Sequence, residues 1–191
     1  MPIFSYSEQC IGMKDKNGNP ITDFESGVDI EISSGRIVKC TINSIVKGQN
    51  GTAGEIRGSF GVSATLLGDI YANTKTGIFG KTDKGFPHGK EIILGDKNQV
   101  IEGEALIFCS VEGQVKEYTV EILSINRGKS EKNMVIKVTD QTLLEKTGGI
   151  VQGMSGSPIV QNSMLIGAVT HVFVNDPTRG YGVYIDWMID N

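Results

Sequence analysis

Apolar residues in this chain recur at alternate positions in short runs, and nearly every run ends at a turn carrying Gly, Asn or Ser. Side chains on a strand alternate between faces, so this pattern specifies half-buried strands. Ile37–Val46, Ala64–Tyr71, Glu91–Leu94, Gly103–Val111, Val115–Ile125 and Met134–Val138 read as strands. Val28–Ile32 joins the first of these as a hairpin across Ser33-Ser34-Gly35. The Gly-rich stretch 48–61 and Lys81–Lys90 read as loops, and Gly77-Ile-Phe-Gly80 reads as a turn. One short helix is expected over Asp140–Lys146, with Asp140 as its N-cap, Leu143 and Leu144 on its apolar face, and Gly148-Gly149 ending it. Then come a strand over Pro158–Val160, a turn over Gln161–Ser163, and strands over Met164–Val174 and Tyr181–Trp187.

Composition agrees with an all-β chain. Among 191 residues, 25 are Gly, 39% are apolar and 7% are aromatic, enough for a core built from Val and Ile on tight turns. Net charge is -4, and the 18 Lys and Arg are scattered singly, which argues against a nucleic-acid partner. No apolar run approaches the roughly 20 residues that span a bilayer, so this segment is expected to be a soluble piece without direct membrane insertion. Cys10, Cys40 and Cys109 are widely spaced, with neither a CxxC nor a nearby His pair. They are expected to be reduced and half-buried, and neither a metal nor an organic cofactor is implied.

Chemistry concentrates in Gly153-Met-Ser-Gly-Ser-Pro158. A serine nucleophile needs a tight turn whose amide N–H groups face the developing oxyanion, with small residues alongside. Ser155 fits the nucleophile position, and the N–H groups of Gly153 and Ser155 fit the oxyanion hole. Gly156 admits a substrate backbone, and Pro158 releases the chain into a strand. A turn and a second apolar strand follow, as they follow the nucleophile in chymotrypsin-like enzymes.

Four further segments extend the likeness: Lys137-Val-Thr-Asp140, Thr147 through Asn162, Ile166-Gly-Ala-Val-Thr-His171 through Val183, and Trp187-Met188. With these the chain resembles the stage IV sporulation protein B peptidase family of endospore-forming bacteria. Looser matches at Pro20-Ile-Thr-Asp23, Gly35-Arg-Ile-Val-Lys39, Lys47-Gly48, Gly54-Glu55, Gly68-Asp-Ile70, Asn73 and Gly77–Gly80 extend the resemblance over nearly the whole chain. It implies a chymotrypsin-like double β-barrel, with an N-terminal barrel over about 1–90 and a C-terminal barrel over about 91–191 in a single peptidase domain. It also implies a protease that cuts itself and a membrane-bound regulator to start late sigma-factor processing, in the space between the mother-cell and forespore membranes. The family's anchor and PDZ domain are not in this sequence.

The family's general base is a His before Ile-x-Asp. Here Asn19 stands at that position or, if Cys10–Met13 is aligned instead, Met13 does. Neither side chain takes a proton from serine near neutral pH. His171 lies in a stretch shared with the family and is expected at the cleft wall, and His88 in an exposed loop. For the acid, the resemblance favours Asp140, chymotrypsin-like order favours Asp69, and Asp23 is a weaker third. Gln152, Thr170 and His171 are expected to contact substrate. The partner is therefore a protein or peptide, either cut by an active peptidase or bound without cleavage by a pseudopeptidase of the same fold.

Overall fold

The structure is a computed structural model that describes residues 10–12, 35–59, 65–74, 77–82, 91–128 and 132–189. The first sheet is built from β1 (Cys10–Gly12), β2 (Gly35–Val46), β3 (Glu55–Ser59), β4 (Leu66–Thr74) and β5 (Gly77–Lys81). Its order is β1-β2-β4-β5, with β3 paired to β2, and every pairing is antiparallel.

Later strands close a barrel. β6 (Ile93–Leu94), β7 (Gly103–Cys109), β8 (Lys116–Ile125) and β9 (Met134–Val138) precede helix α1 (Gln141–Thr147). Then come β10 (Pro158–Gln161), β11 (Met164–Val172), β12 (Arg179–Tyr184) and helix α2 (Ile185–Ile189). The ring runs β10-β7-β8-β9-β12-β11 and closes through the β10–β11 pair, while β6 lies parallel to β11 outside it. Closure leaves no open edge around the ring, and inward side chains fill the interior.

Alternation places that core. Ala105, Ile107 and Cys109 on β7, Tyr118, Val120 and Ile122 on β8, and Met134, Ile136 and Val138 on β9 are all buried in one cluster. Burying an aliphatic side chain of this kind contributes roughly 1.5–3 kcal/mol. At the β10–β11 hairpin, Asn162 and Ser163 take φ of 51° and 62°, the left-handed pair of a type I′ turn. Gln161 is buried beside it, accepting from the Ile101 N–H at 3.1 Å and donating to the Ile101 and Glu104 carbonyls at 3.0 Å each.

Several expectations need correction. Stretch 48–61 contains strand β3, whose extended form is imposed by pairing with β2 rather than by its own weak alternation. Gly77–Gly80 forms most of strand β5; Gly80 packs so close to β4 that a Cβ there would lie 2.9 Å from the Asp69 carbonyl oxygen. The last strand stops at Tyr184 and gives way to α2, where an Asp186 carboxylate oxygen accepts from the Lys97 N–H at 3.0 Å. Cys40 is disulfide-bonded and Cys109 is free. The β1–β2 register sets Cys10 directly opposite Cys40, a proximity that sequence spacing cannot reveal. Val28–Ile32 lies outside the described residues.

Candidate active site

Helix α1 delivers the chain to the Ser155 turn. Asp140 caps it, accepting from the Leu143 N–H at 3.0 Å, and Gly148 ends it with φ of 74°. Thr147 is buried there, donating to the Leu143 carbonyl and accepting from the Gly149 N–H. Ile150 then bonds through its N–H to the Pro177 carbonyl at 2.7 Å.

Gln152 is held by the first sheet. Its N–H donates to the Gly54 carbonyl and its carbonyl accepts from the Ile56 N–H, both at 2.8 Å. Ile56 also lies under the turn, because a Cβ on Gly153 would sit 3.1 Å from the Ile56 Cβ. The Ser155 turn of the barrel therefore rests on the other sheet. Local spacing gave no signal for Gly54 or Ile56 as supports, since the contact is long-range.

The bend itself comes from Gly153 and Gly156, with φ of 98° and 89°, a region that costs a residue with a side chain roughly 1–2 kcal/mol. Met154 is 1% exposed and anchors the bend in the core, whereas Ser155 faces solvent. The Met154 N–H bonds to the Val151 carbonyl and the Ser157 N–H to the Met154 carbonyl. The Gly156 N–H bonds to the Val169 carbonyl at 2.8 Å, and the Val169 N–H returns to Ser157. Among the described residues, the N–H groups of Gly153 and Ser155 donate no backbone hydrogen bond.

The Ser155 hydroxyl donates to the Thr170 carbonyl at 2.6 Å. A β-bulge at Thr170 interrupts the β11–β12 register between Val169 and His171, and the Thr170 hydroxyl donates to the Tyr181 carbonyl at 3.2 Å. His171 follows as an exposed residue opposite Tyr181. The tertiary fold thus gathers Gly153, Ser155 and Thr170, with Gln152 and His171 beside them in the chain. The Asp140 carboxylate is bonded at the helix cap and not to the serine hydroxyl. Asp69 is exposed on β4, opposite Arg36 and Lys81 in the first sheet. Met13, Asn19, Asp23 and His88 lie outside the described residues.

Two neighbouring groups titrate far from their usual range. Hydrogen bonds from Lys116, then Lys146, then Tyr118 lower the Glu112 carboxyl to about 2, tying the β7–β8 turn to the end of α1. Burial pushes the Cys109 thiol up to about 12, so it stays protonated and unreactive. Among the described residues, no group of three or more His, Cys, Asp or Glu could hold a metal ion. No helix among them is long and apolar enough to cross a membrane.

A closed β-barrel packed with a second sheet, and a Gly-x-Ser-Gly bend at their junction, define a serine peptidase domain of the chymotrypsin-like kind. The SpoIVB peptidase S55 family matches residues 4–189, and the chain belongs to that family. A comparison with curated proteins finds no match.

Proposed function

We propose that this domain is a sporulation-signalling serine endopeptidase that cuts its own chain and a membrane-associated regulator. Ser155 is the nucleophile, and the Gly153 and Ser155 amides receive the oxyanion. The single observation that supports this is an exposed hydroxyl on a bend whose two amides donate no backbone bond among the described residues. The Ser155 oxygen attacks the scissile carbonyl as its proton passes to a base other than Asn19 or Met13, a relocated group or water, the two N–H groups stabilise the tetrahedral oxyanion, and its collapse releases the amine, which takes up that proton. Asp140 is the acid of this scheme, with Asp69 as the alternative, and Asn19 or Met13 stands at the family's base position. Gln152, Thr170 and His171 contact the substrate. The chain acts as a single peptidase domain of two lobes. Its site of action is the space between the two membranes of a sporulating cell, and the disulfide at Cys40 suits such a compartment outside the reducing cytosol.

A second reading, a pseudopeptidase that binds peptides without cutting them, draws support from the Ser155–Thr170 bond. A backbone carbonyl orients the hydroxyl but cannot take its proton. A fluorophosphonate probe with peptide mapping discriminates the two. Labelling at Ser155, absent in Ser155→Ala, is expected of the peptidase. A folded protein unlabelled at high probe concentration belongs to the second reading.

A further inference from the structure

We propose that Asp176 is a positioning residue for the Ser155 turn: its carboxylate shapes the loop through Pro177, and that loop holds the segment leading into Ser155 against both the barrel and the first sheet. The proposal rests on Ser155 and the Gly153 and Ser155 amides being the reacting centre.

Residues 173–178 connect β11 to β12. The backbone there closes on itself: the Phe173 N–H donates to the Arg179 carbonyl and the Asp176 N–H to the Phe173 carbonyl, both at 3.0 Å, and the Arg179 N–H to the Asp176 carbonyl at 2.9 Å. Asp176 supplies the side chain that fixes this shape. One carboxylate oxygen accepts from the Thr178 hydroxyl at 2.6 Å and the Thr178 N–H at 3.2 Å, and the other from the Arg179 Nε at 2.5 Å. Thr178, then Arg179, hold the carboxyl below its usual range, so it accepts as an anion near neutral pH.

Three backbone bonds then run in a closed circuit. The Pro177 carbonyl accepts from the Ile150 N–H at 2.7 Å, the Gln152 N–H donates to the Gly54 carbonyl at 2.8 Å, and the Gly51 N–H returns to the Val174 carbonyl at 3.0 Å. Segments 150–152, 51–54 and 174–177 are thus bonded pairwise, and Gly153 follows directly. A further bond, from the Val138 N–H to the Thr178 carbonyl at 2.8 Å, fixes the loop to β9 of the barrel. The joint is tight: a Cβ on Gly48 would lie 2.9 Å from the Pro177 Cβ, and one on Gly149 would collide with the Pro177 carbonyl oxygen. A loop that loses its shape at Asp176 moves the Pro177 and Val174 carbonyls, and the displacement passes to the backbone that aims the Gly153 and Ser155 N–H groups. The bonds of the Asp176 carboxylate all end within the loop, so it acts through these carbonyls and not on the reacting atoms.

The test uses the full chain with Asp176→Ala and Asp176→Asn, each checked for folding by its melting curve. Amide hydrogen exchange resolved by NMR is expected to run about tenfold or more faster at Gly51, Ile150 and Gln152 in Asp176→Ala, with the β8 amides unchanged, the pattern of local rather than global opening. Fluorophosphonate labelling of Ser155, followed against probe concentration, is expected to lose about tenfold or more in maximal rate at a nearly unchanged half-saturating concentration, because displacing a reacting group by about 1 Å costs on the order of 100-fold. Asp176→Asn keeps an oxygen for Thr178 and is expected to restore both readouts to within about threefold of wild type. Should Asp176→Ala not fold, Thr178→Val, which removes the hydroxyl donor alone, is read in the same way, with losses of about threefold expected. Wild-type exchange at Ile150 and Gln152 in the folded variant overturns the proposal, and so does wild-type labelling; either leaves the reacting centre standing. If the wild-type chain itself does not label, the peptidase reading falls and takes the catalytic part of the proposal with it, while exchange still decides whether Asp176 holds the turn.

Discussion

The Ser155 hydroxyl points back at the Thr170 carbonyl, 2.6 Å away, so the proposed nucleophile is held by the main chain of the strand that borders it. Because the acceptor is a backbone oxygen at a bulge, the Thr170 side chain is dispensable for that contact. Thr170→Val removes only the hydroxyl's bond to the Tyr181 carbonyl. Labelling of Ser155 by a fluorophosphonate is expected to change by less than about threefold, with stability reduced by about 1 kcal/mol.

Gly153 and Gly156 separate geometry from strain. Both have left-handed φ, but a Cβ on Gly153 meets Ile56 at 3.1 Å, whereas one on Gly156 has nothing within 4 Å. Gly153→Ala must shift the turn and its N–H, and a drop in the Ser155 labelling rate of about 100-fold or more is expected, as for loss of one oxyanion donor. Gly156→Ala is expected to cost only the backbone term, roughly 1–2 kcal/mol in urea unfolding.

Gly54 couples the sheets. A Cβ there would lie 2.3 Å from the Gly48 nitrogen and 2.4 Å from the Val46 carbonyl oxygen, where only backbone could move. Gly54→Ala is expected to lower stability by about 1–3 kcal/mol and to slow Ser155 labelling, since the Gln152 N–H loses its Gly54 acceptor. Ser155 labelling at wild-type rate in this variant speaks against the first sheet as the turn's support.

Asp140 caps α1 and is the proposed acid, two roles that substitution separates. As an N-cap it is replaceable by Asn, while Asp140→Ala is expected to cost about 1 kcal/mol. Asp140→Asn is therefore expected to melt like wild type and yet label more slowly at Ser155, as the proposed acid role requires. Unchanged labelling assigns Asp140 to the cap alone.

Glu112 predicts an acid limit to stability. Its carboxyl ionises at about 2 in the folded chain, against an ordinary 4.5, because Lys116, Lys146 and Tyr118 donate to it. A depressed folded value means the charged form favours folding. The contribution is complete above about 4.5 and disappears as pH falls toward 2. Urea unfolding at pH 7, 4 and 3 is expected to show wild type losing more stability than Glu112→Gln over that interval.

Local pattern carried much of the architecture. Met134–Val138 and the capped α1 stand where alternation and Asp140, Gly148 and Gly149 indicated, because a period and a cap are properties of neighbouring residues. The Gly153–Pro158 bend was legible for the same reason. Strand β3 was not: Glu55-Ile-Arg-Gly-Ser has little alternation, and its extended form follows from β2 and from Gln152. The end of the chain misled as well, since Tyr181–Trp187 is apolar enough for a strand throughout, yet it coils into α2 beyond Tyr184.

The sequence by itself determined an all-β peptidase chain with one serine on a glycine-hinged turn, since strand period, turn chemistry and caps are encoded within a few residues. Only the tertiary structure decided what surrounds that serine: the Thr170 carbonyl that takes its hydrogen and the Gly54–Ile56 segment beneath it. These contacts join residues far apart in the chain, and strand register and close packing, which no local pattern specifies, bring them together.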